Sequence, residues 1–235
     1  MPYKRILLKL SGEVLAGSRK YGIDPIIANK IAEIIKKVKN SNIELAIVIG
    51  GGNIFRGISV SAKGMDRVAA DYLGMLATVM NSVALQSELE KLDCDTRVMS
   101  ALSITQLAEP YIRRRATRHL EKGRVVIFAG GTGNPYFTTD TAAVLRAIEI
   151  NADIVIKGTK VDGVYSSDPF EDKSAKKYDS ISFKKVIEKE LKVMDMTAIT
   201  LCHENSIPIK VFNIKSSGDL IDIISGSNIG TTIGK

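Results

Sequence analysis

The chain has 235 residues, 45% of them hydrophobic and 25% charged, and a formal net charge of +7. These proportions are ordinary for a soluble protein with a substantial core, and no apolar run approaches the roughly 18 residues needed to span a bilayer. The first residues, MPYKRILLKLSGE, become polar again too early for a signal-peptide core. We therefore expect a cytoplasmic protein with no membrane partner.

The net positive charge suits a polyanionic ligand such as a nucleotide. The basic residues are scattered along the chain and only 6% of residues are aromatic, so a nucleic-acid partner is not expected. The one dense basic cluster, Arg113–Arg115 with Arg118, falls in a predicted helix. Three roles are open for it: a solvated face, an ion-pair surface or a phosphate site. The two cysteines and two histidines lack the spacing of a disulfide framework or a zinc site.

Short β-branched runs alternate along the chain with longer segments of helical periodicity. Asp24 followed by Pro25 is a typical helix start, and residues 161–179, rich in Gly, Ser, Asp and Lys, are expected to form an exposed excursion. In chain order we predict a strand at 6–10, a helix at 24–39, a strand at 44–49, a helix at 66–91, a strand at 96–100, a helix at 103–120, a strand at 124–129, a helix at 138–150, a strand at 153–157, helices at 183–189 and 196–205, a strand at 209–212, a helix at 219–225 and a short final strand.

No linker, internal repeat or low-complexity segment divides these elements. Strands that alternate with helices are typical of a mostly parallel sheet that is covered on both faces. We therefore predict one domain over residues 1–235. Its fold class is α/β, a three-layer α/β/α sandwich with a mostly parallel central sheet.

The helix predicted at 66–91 has an apolar sector wider than one core contact needs. Beside its main apolar face lie further large apolar residues, so we predict that this helix also packs against another subunit. The main face consists of Val68, Tyr72, Met75, Leu76, Val79 and Val83, and the flanking residues are Leu73, Met80 and Leu85.

Glycine-rich loops directly follow three of the predicted strands. They are Lys9–Gly12, Gly50–Asn53 with Arg56 and Gly57 nearby, and Gly130–Pro135. The carboxyl ends of parallel strands form the edge where open α/β sheets bind ligands. Glycine there lets backbone amides approach an anion closely. Three such loops on one edge, two of them with nearby cations, predict a ligand that carries several phosphates.

The common phosphate-binding motifs are absent from the sequence. There is no GxxxxGK[ST] motif, no clean GxGxxG motif of the dinucleotide type, and no HRD or DFG motif. A nucleotide must therefore be held by another arrangement of the same parts, namely amides, a lysine, an arginine and acidic groups for magnesium.

Five segments together resemble the bacterial uridylate kinases, a branch of the amino-acid kinase family. Their order and spacing fit from end to end. KLSGE alone is shared loosely with acetylglutamate, carbamate and aspartate kinases, whereas the third and fourth segments are more specific to the uridylate branch. The segments are KLSGE at 9–13, GGGNIFRG at 50–57, DYLGMLATVMN at 71–81, GTGNPYFTTD at 131–140 and GTKVDGVYSSDP at 158–169.

The resemblance implies a donor site for ATP, which is accompanied by Mg²⁺ without dedicated metal-ligating residues. Lys9 and Asp140 are the implied catalytic residues. Lys9 would neutralise charge on the transferred group, and Asp140 would help place magnesium or Lys9, with a helix cap as its alternative role. The implied ATP-binding residues are Lys9, Leu10, Ser11, Gly12, Gly52, Arg56, Thr159, Tyr165 and Asp168.

The resemblance also implies an acceptor site for UMP. Asp71 would accept hydrogen bonds from the ribose hydroxyls, although it could instead serve only as an acidic residue near a helix N-terminus. Asp195 and Lys157 are weaker candidates for organising charge. The implied UMP-binding residues are Gly51, Asp71, Thr132, Gly133, Asn134, Pro135, Tyr136, Phe137, Thr138 and Thr139.

Relatives of this kind transfer the ATP γ-phosphoryl group to UMP in pyrimidine nucleotide (CTP and UTP) biosynthesis. They are homohexamers, trimers of dimers, and many are inhibited by UTP and activated by GTP. The segment Gly17–Gly22, GSRKYG, departs from the pattern of GTP-responsive relatives. GTP activation is therefore in doubt, although Arg19 and Lys20 could still meet an effector phosphate.

Two alternatives are left open by the sequence. One is another amino-acid kinase that phosphorylates a carboxylate or carbamate. The other is a nucleotide- or RNA-binding regulator without turnover, which the net charge of +7 alone favours. The presence of Lys9, Arg56 and Asp71 together favours an enzyme.

Overall fold

The computed structural model describes residues 2–56, 64–214 and 219–234, and its core is a nine-stranded sheet with a two-stranded hairpin beside it. The strands are β1 Arg5–Leu10, β2 Glu44–Ile49, β3 Thr96–Ser100, β4 Glu109–Pro110, β5 Val125–Ala129, β6 Ile154–Thr159, β7 Val164–Tyr165, β8 Lys177–Tyr178, β9 Ser180–Ser182, β10 Ile209–Asn213 and β11 Thr231–Gly234. The helices are α1 Glu13–Ala16, α2 Pro25–Lys39, α3 Arg67–Lys91, α4 Arg113–Glu121, α5 Thr139–Glu149, α6 Phe183–Glu188, α7 Met196–Glu204 and α8 Asp219–Ile224.

The large sheet has the strand order β4-β3-β5-β2-β1-β6-β10-β11-β9. The first seven strands in this order run parallel, β11 pairs antiparallel with β10, and β9 runs parallel to β11. β1 therefore lies in the middle, between β2 and β6. The hairpin consists of β7 and β8.

Both faces of the sheet are buried, as the nearly continuous apolar strand sequences require. From β1, Ile6, Leu8 and Leu10 face one layer of helices, formed by α1, α2, α3 and α8. Leu7 faces the other layer, formed by α4, α5, α6 and α7. The predicted α/β/α sandwich with a mostly parallel sheet is confirmed.

Most helices begin close to the predicted residue, because the side chain that caps a helix is adjacent to its first turn in the sequence. The Asp24 carboxylate accepts hydrogen bonds from the amides of Ile26 and Ile27 at the start of α2. Asp66 accepts from the Ala69 amide at the start of α3.

The helix predicted at 103–120 is wrong over its first half, since α4 begins only at Arg113. Pro110 has no amide proton and cannot lie inside a helix. Together with Glu109 it forms the short edge strand β4, paired with Met99 and Ser100 of β3. The sequence-based prediction also missed α1 and β9, and the excursion predicted at 161–179 contains the whole β7–β8 hairpin.

α3 is apolar on two sides. In the described part of the chain, it is the one helix long and apolar enough to cross a membrane, with mean hydropathy 1.4 over its best window, of which 44% is buried. The length of uninterrupted apolar runs in the sequence does not reveal the high mean hydropathy of this helix. Val79 and Leu85 are buried in the core against the sheet, and Met75 is also buried. Tyr72, Leu73, Leu76 and Met80, by contrast, are 39–56% exposed.

Candidate functional site

The three glycine-rich loops follow β1, β2 and β5, and β5, β2, β1 and β6 are contiguous in the sheet. Because these strands run parallel, the loops lie on one edge, as predicted. Gly57 lies outside the described residues. Gly12 illustrates how closely the loops pack, since a Cβ atom there would lie 2.3 Å from the Gly50 carbonyl oxygen.

Two lysines and one aspartate form a charged centre at this edge. Lys9 on β1 and Lys157 on β6 are register partners, so their side chains leave the same face of the sheet. Asp140 lies in the first turn of α5. Its Oδ1 atom is 2.6 Å from the Lys9 Nζ atom, and its Oδ2 atom is 2.7 Å from the Lys157 Nζ atom. All three side chains are largely buried.

Burial and charge act in opposite directions on this centre. Burial alone would raise the pKa of Asp140, but the Lys9 and Lys157 ammonium groups together outweigh it and lower that pKa below its ordinary value. Burial also lowers the pKa of Lys157, against the attraction of Asp140. Asp140 is therefore ionised at neutral pH. While both lysines are protonated, the centre has one excess positive charge that can attract a phosphate.

Asp195 connects the start of α5, which carries Asp140, to the start of α7. It caps α7 by accepting from the Ala198 amide at 3.0 Å. It also accepts from the Thr141 hydroxyl at 2.7 Å and from the Thr138 hydroxyl. Thr138 in turn caps α5 by accepting from the Asp140 amide at 3.1 Å. Of the two weaker sequence candidates, Lys157 thus belongs to the centre and Asp195 lies beside it, bonded to the helix turn that carries Asp140.

A pocket of about 470 Å³ opens beside the charged centre, between α3 and the loops after β2 and β5. Eight of the residues implied by the resemblance line it: Gly51, Gly52, Arg56, Asp71, Thr132, Phe137, Thr138 and Thr139. The other lining residues are Phe55, Arg67, Ala70, Gly74, Met75, Thr78 and Gly131.

Arg67 is a cation in this pocket that the sequence reasoning missed. Its Nε atom donates to both carboxylate oxygens of Asp71, at 2.9 and 2.8 Å, and its guanidinium lies 5.5 Å from the centre of the Tyr136 ring. Asp71 also accepts from the Tyr136 amide at 2.7 Å. The spacing of Arg67 and Asp71, four residues apart at a helix start, was the available signal.

Comparison with known protein families identifies the family to which the chain belongs. Residues 4–213 match the amino acid kinase family. The chain belongs to the amino acid kinase family.

Three solved structures resemble the whole chain. UMP kinase from Bacillus anthracis is 42% identical with a TM-score of 0.96, over 100% of this chain and 97% of that one. UMP kinase from Ureaplasma parvum is 40% identical with a TM-score of 0.93, over 100% of both chains. Uridylate kinase from Archaeoglobus fulgidus is 29% identical with a TM-score of 0.76, over 97% of this chain and 99% of that one. The resemblance to this branch of the amino acid kinase family is confirmed.

The nine residues implied for ATP divide into three groups in this chain. Lys9, Leu10, Ser11 and Gly12 lie at the end of β1, and Thr159 ends β6 next to it. Gly52 and Arg56 line the pocket. Tyr165 and Asp168 lie in and beside the β7–β8 hairpin. There, the Tyr165 hydroxyl donates to Asp162 at 2.6 Å, and Asp168 accepts from the Phe170 amide at 2.9 Å.

The loop 133–136 lies next to the pocket but does not line it. Gly133 and Tyr136 adopt positive φ angles of 82° and 72°, which turns the chain sharply between Thr132 and Phe137. The Thr132 hydroxyl accepts from the Asn134 amide at 3.1 Å. These contacts, with Pro135 between them, give the loop its shape around the pocket entrance.

Glu13 is a second residue that the sequence reasoning missed. Its carboxylate binds Arg56 of the second glycine-rich loop and Lys160 of the loop after β6. The three side chains therefore join two sides of the edge through ion pairs that are partly exposed to solvent.

The charged centre has few groups that could hold a metal. Within 2–56, 64–214 and 219–234, no group of three or more His, Cys, Asp and Glu residues has metal-binding spacing. Asp140 is the carboxylate at the centre, and both its oxygens contact ammonium groups. Mg²⁺ is commonly held by one or two carboxylates together with substrate phosphates. The centre fits a divalent metal ion that arrives with a nucleotide rather than one held by the protein alone.

Proposed function

We propose that this chain is a UMP kinase, which transfers the γ-phosphoryl group of ATP to UMP and gives UDP and ADP. The observation that carries the proposal is the position of the Lys9–Asp140–Lys157 centre beside the pocket that contains Asp71 and Arg67. The family assignment supports a kinase, and the full-length similarity to UMP kinases supports a nucleoside monophosphate as the acceptor.

The chemistry requires no strong general base, because the attacking phosphate oxygen of UMP already has a negative charge. The chain's task is to hold two anions in line and to reduce their repulsion. Lys9 would neutralise charge on the transferred group, while Asp140 holds both ammonium groups in place. Magnesium bound with ATP would be held mainly by the nucleotide phosphates, with Asp140 nearby, and would offset their charge.

For the acceptor we propose that UMP occupies the side of the 470 Å³ pocket formed by α3 and the loop after β5, whereas Gly52 and Arg56 line its donor side. Its ribose hydroxyls would donate to Asp71, and the amides and hydroxyls of the loop 132–139 would bind the uracil and the phosphate. Glycine at position 51 lets the loop after β2 lie close to α3. A Cβ atom there would lie 2.7 Å from the Gly74 oxygen and would push the loop off the helix.

For the donor we propose that the ATP phosphates lie along the end of β1 and the loop after β2. A guanidinium can bind a phosphate through two parallel hydrogen bonds, which suits Arg56. The adenosine would lie against the segment from Thr159 to Asp168. The proposed ATP-binding residues are Lys9, Leu10, Ser11, Gly12, Gly52, Arg56, Thr159, Tyr165 and Asp168.

The wider setting is also a proposal. The chain would act in the cytoplasm as one domain, in pyrimidine nucleotide biosynthesis, with UTP as an inhibitor and with neither membrane nor nucleic acid as a partner. The departure of Gly17–Gly22 from the GTP-responsive pattern supports an enzyme that GTP does not activate.

ADP release with Mg-ATP tests the function directly. The acceptors are UMP, CMP, dUMP, AMP, GMP, acetylglutamate and carbamate, and UMP should be used far better than the others. If acetylglutamate or carbamate were the preferred acceptor, the UMP kinase proposal would be wrong and the chain would be a carboxylate or carbamate kinase. Nucleotide binding without any turnover would identify a regulator instead. If CMP were as good as UMP, uracil recognition by residues 132–139 would be refuted.

Replacing Asp71 with asparagine should raise the KM for UMP by about 10- to 100-fold, which corresponds to the loss of a charge-assisted hydrogen bond of about 1.5–3 kcal/mol. The KM for ATP should change little, because Asp71 lies in the acceptor pocket. Steady-state kinetics with each substrate varied in turn measures both values.

The matched control for Asp71→Asn is Asp66→Asn on the same helix. Asp66 caps α3 through the Ala69 amide, and asparagine caps helices equally well. Both KM values should therefore remain at their wild-type levels in Asp66→Asn. A wild-type KM for UMP in Asp71→Asn would show that Asp71 does not bind the ribose.

We further propose that the protein is a homo-oligomer, a hexamer built as a trimer of dimers, with α3 in the subunit contact. The exposed apolar residues of α3 support this proposal because exposing an apolar patch to water is unfavourable, and a subunit contact would bury it. The double substitution Leu76→Glu and Met80→Glu should dissociate the oligomer into smaller species, as measured by sedimentation velocity. Lys37→Glu, at an exposed position on α2, should leave the oligomer intact. Unchanged sedimentation of the double variant would exclude α3 from the contact.

A further inference from the structure

Two buried polar side chains on α3 hold the two glycine-rich loops that border the pocket. The Thr78 hydroxyl accepts a hydrogen bond from the Gly130 amide at 2.8 Å, which ties the loop after β5 to the helix. The Asn81 side-chain amide donates to the Gly50 carbonyl at 2.7 Å, which ties the loop after β2 to the same helix. Thr78 is 2% exposed and Asn81 is fully buried.

Asn81 is also half of a reciprocal amide pair. Its side-chain nitrogen donates to the Asn53 side-chain oxygen at 2.7 Å, and the Asn53 nitrogen donates back to the Asn81 oxygen at 3.0 Å. The Asn53 nitrogen donates in addition to the Gly22 carbonyl at 2.8 Å. One buried pair therefore fixes both ends of the segment Gly50–Asn53. Because a buried polar group is costly to leave unpaired, this geometry is strongly specified.

The second loop lies directly on the helix. A Cβ atom at Gly51 would be 2.8 Å from the Ala77 Cβ atom and 3.2 Å from the Thr78 amide nitrogen. Thr78 and Asn81 are three residues apart and so share a face of α3. The exposed residues Leu76 and Met80 lie on another face. The helix is thus the common support for both loops.

We propose that Thr78 and Asn81 are positioning residues for phosphoryl transfer, each acting through the loop that it holds. The inference rests on the proposed function. Thr78 positions Gly130 and with it the UMP-facing loop, whereas Asn81 positions Gly50–Gly52, which faces both nucleotides. Glycine backbone is intrinsically free to move, and a misplacement of about 1 Å can cost about 100-fold in rate.

The test uses Thr78→Val, which keeps the shape of the side chain and removes the acceptor for the Gly130 amide. The KM for UMP should rise about tenfold or more while the KM for ATP stays within about twofold, since one hydrogen bond of the acceptor loop is lost. Thr78→Ser retains the hydroxyl and should restore the wild-type KM for UMP. Asn81→Ala should raise both KM values.

Ser82→Ala is the matched control, because the Ser82 hydroxyl is equally buried on α3 but donates only within the helix, to the Thr78 carbonyl at 2.7 Å. It should leave both KM values unchanged. If Ser82→Ala altered them as Thr78→Val does, the effect would come from the helix as a whole and the inference would fail.

Hydrogen exchange at the Gly130 amide adds a measurement that needs no nucleotide. Protection of this amide should fall in Thr78→Val and return in Thr78→Ser. Unchanged protection would overturn the inference even if the KM changed. The inference alone also fails if wild-type protein makes UDP and Thr78→Val binds UMP normally. Wild-type protein that makes no UDP would instead refute the proposed function.

Discussion

Replacing Lys9 with methionine should reduce kcat for UDP formation by about 10³-fold, the scale seen when one group that stabilises transition-state charge is removed. Lys9 lies at the carboxyl end of the central strand β1, and its side chain is largely buried beside the proposed point of transfer. Methionine keeps most of the apolar stem and removes the charge. Asp140 retains Lys157 as its partner at 2.7 Å, so the fold should persist.

Lys210→Met is the control for this substitution. Lys210 is another buried lysine of the same sheet, but it lies near the start of β10 and donates to the Thr232 hydroxyl at 2.9 Å. Its removal should leave kcat near the wild-type value. Circular dichroism and thermal unfolding of both variants check that they fold.

Turnover, rather than affinity for ATP, separates an enzyme from a binding protein, because both would still bind ATP without Lys9. A regulator without turnover would bind ATP through the same amides with or without Lys9. An enzyme loses turnover while it still folds and binds. Wild-type kcat in Lys9→Met would remove Lys9 from the chemistry and with it the central step of the proposed mechanism.

The elements whose signals are local could be predicted from the sequence. β2 at Glu44–Ile49 has the predicted bounds because an apolar run that ends before a triple glycine marks it clearly, and β3 at Thr96–Ser100 also has the predicted bounds. α2 begins after Asp24 because the cap lies in the adjacent sequence. The wrong helix prediction at 103–120 also concerns a local signal, because Pro110 excludes a helix interior at that position.

The contacts of the candidate site depend on residues that are far apart in the chain. Asp195 meets Thr138 across 57 residues, and Glu13 meets Lys160 across 147. No periodicity or spacing predicts such pairs, which arise only when the folded chain brings distant segments together. Resemblance to a family supplied Lys9 and Asp140, whereas the role of Glu13 needed the structure.

Replacing Asp140 with asparagine should destabilise the protein by about 3–5 kcal/mol, because it leaves two buried ammonium groups without their common counter-ion. It should also lower kcat by about 100-fold, since Lys9 would no longer be held in place. Denaturant unfolding and steady-state kinetics measure the two effects. Asp153→Asn is the control. Asp153 accepts from the backbone amides of Lys4 and Arg5, near the opposite end of β1, and its replacement should leave kcat unchanged.

The stability deficit of Asp140→Asn should depend on pH in a defined way. The pKa of Asp140 is lowered in the folded protein, so its stabilising contribution is present above the ordinary carboxyl pKa of about 3.9 and is lost as the pH falls through the lowered value. The deficit should therefore shrink in acid, where wild-type Asp140 becomes protonated. It should also shrink at high pH, as the pH rises through the lowered pKa of Lys157 and that ammonium is neutralised. A deficit that stays constant across both ranges would show that packing, rather than charge, is what Asp140 supplies.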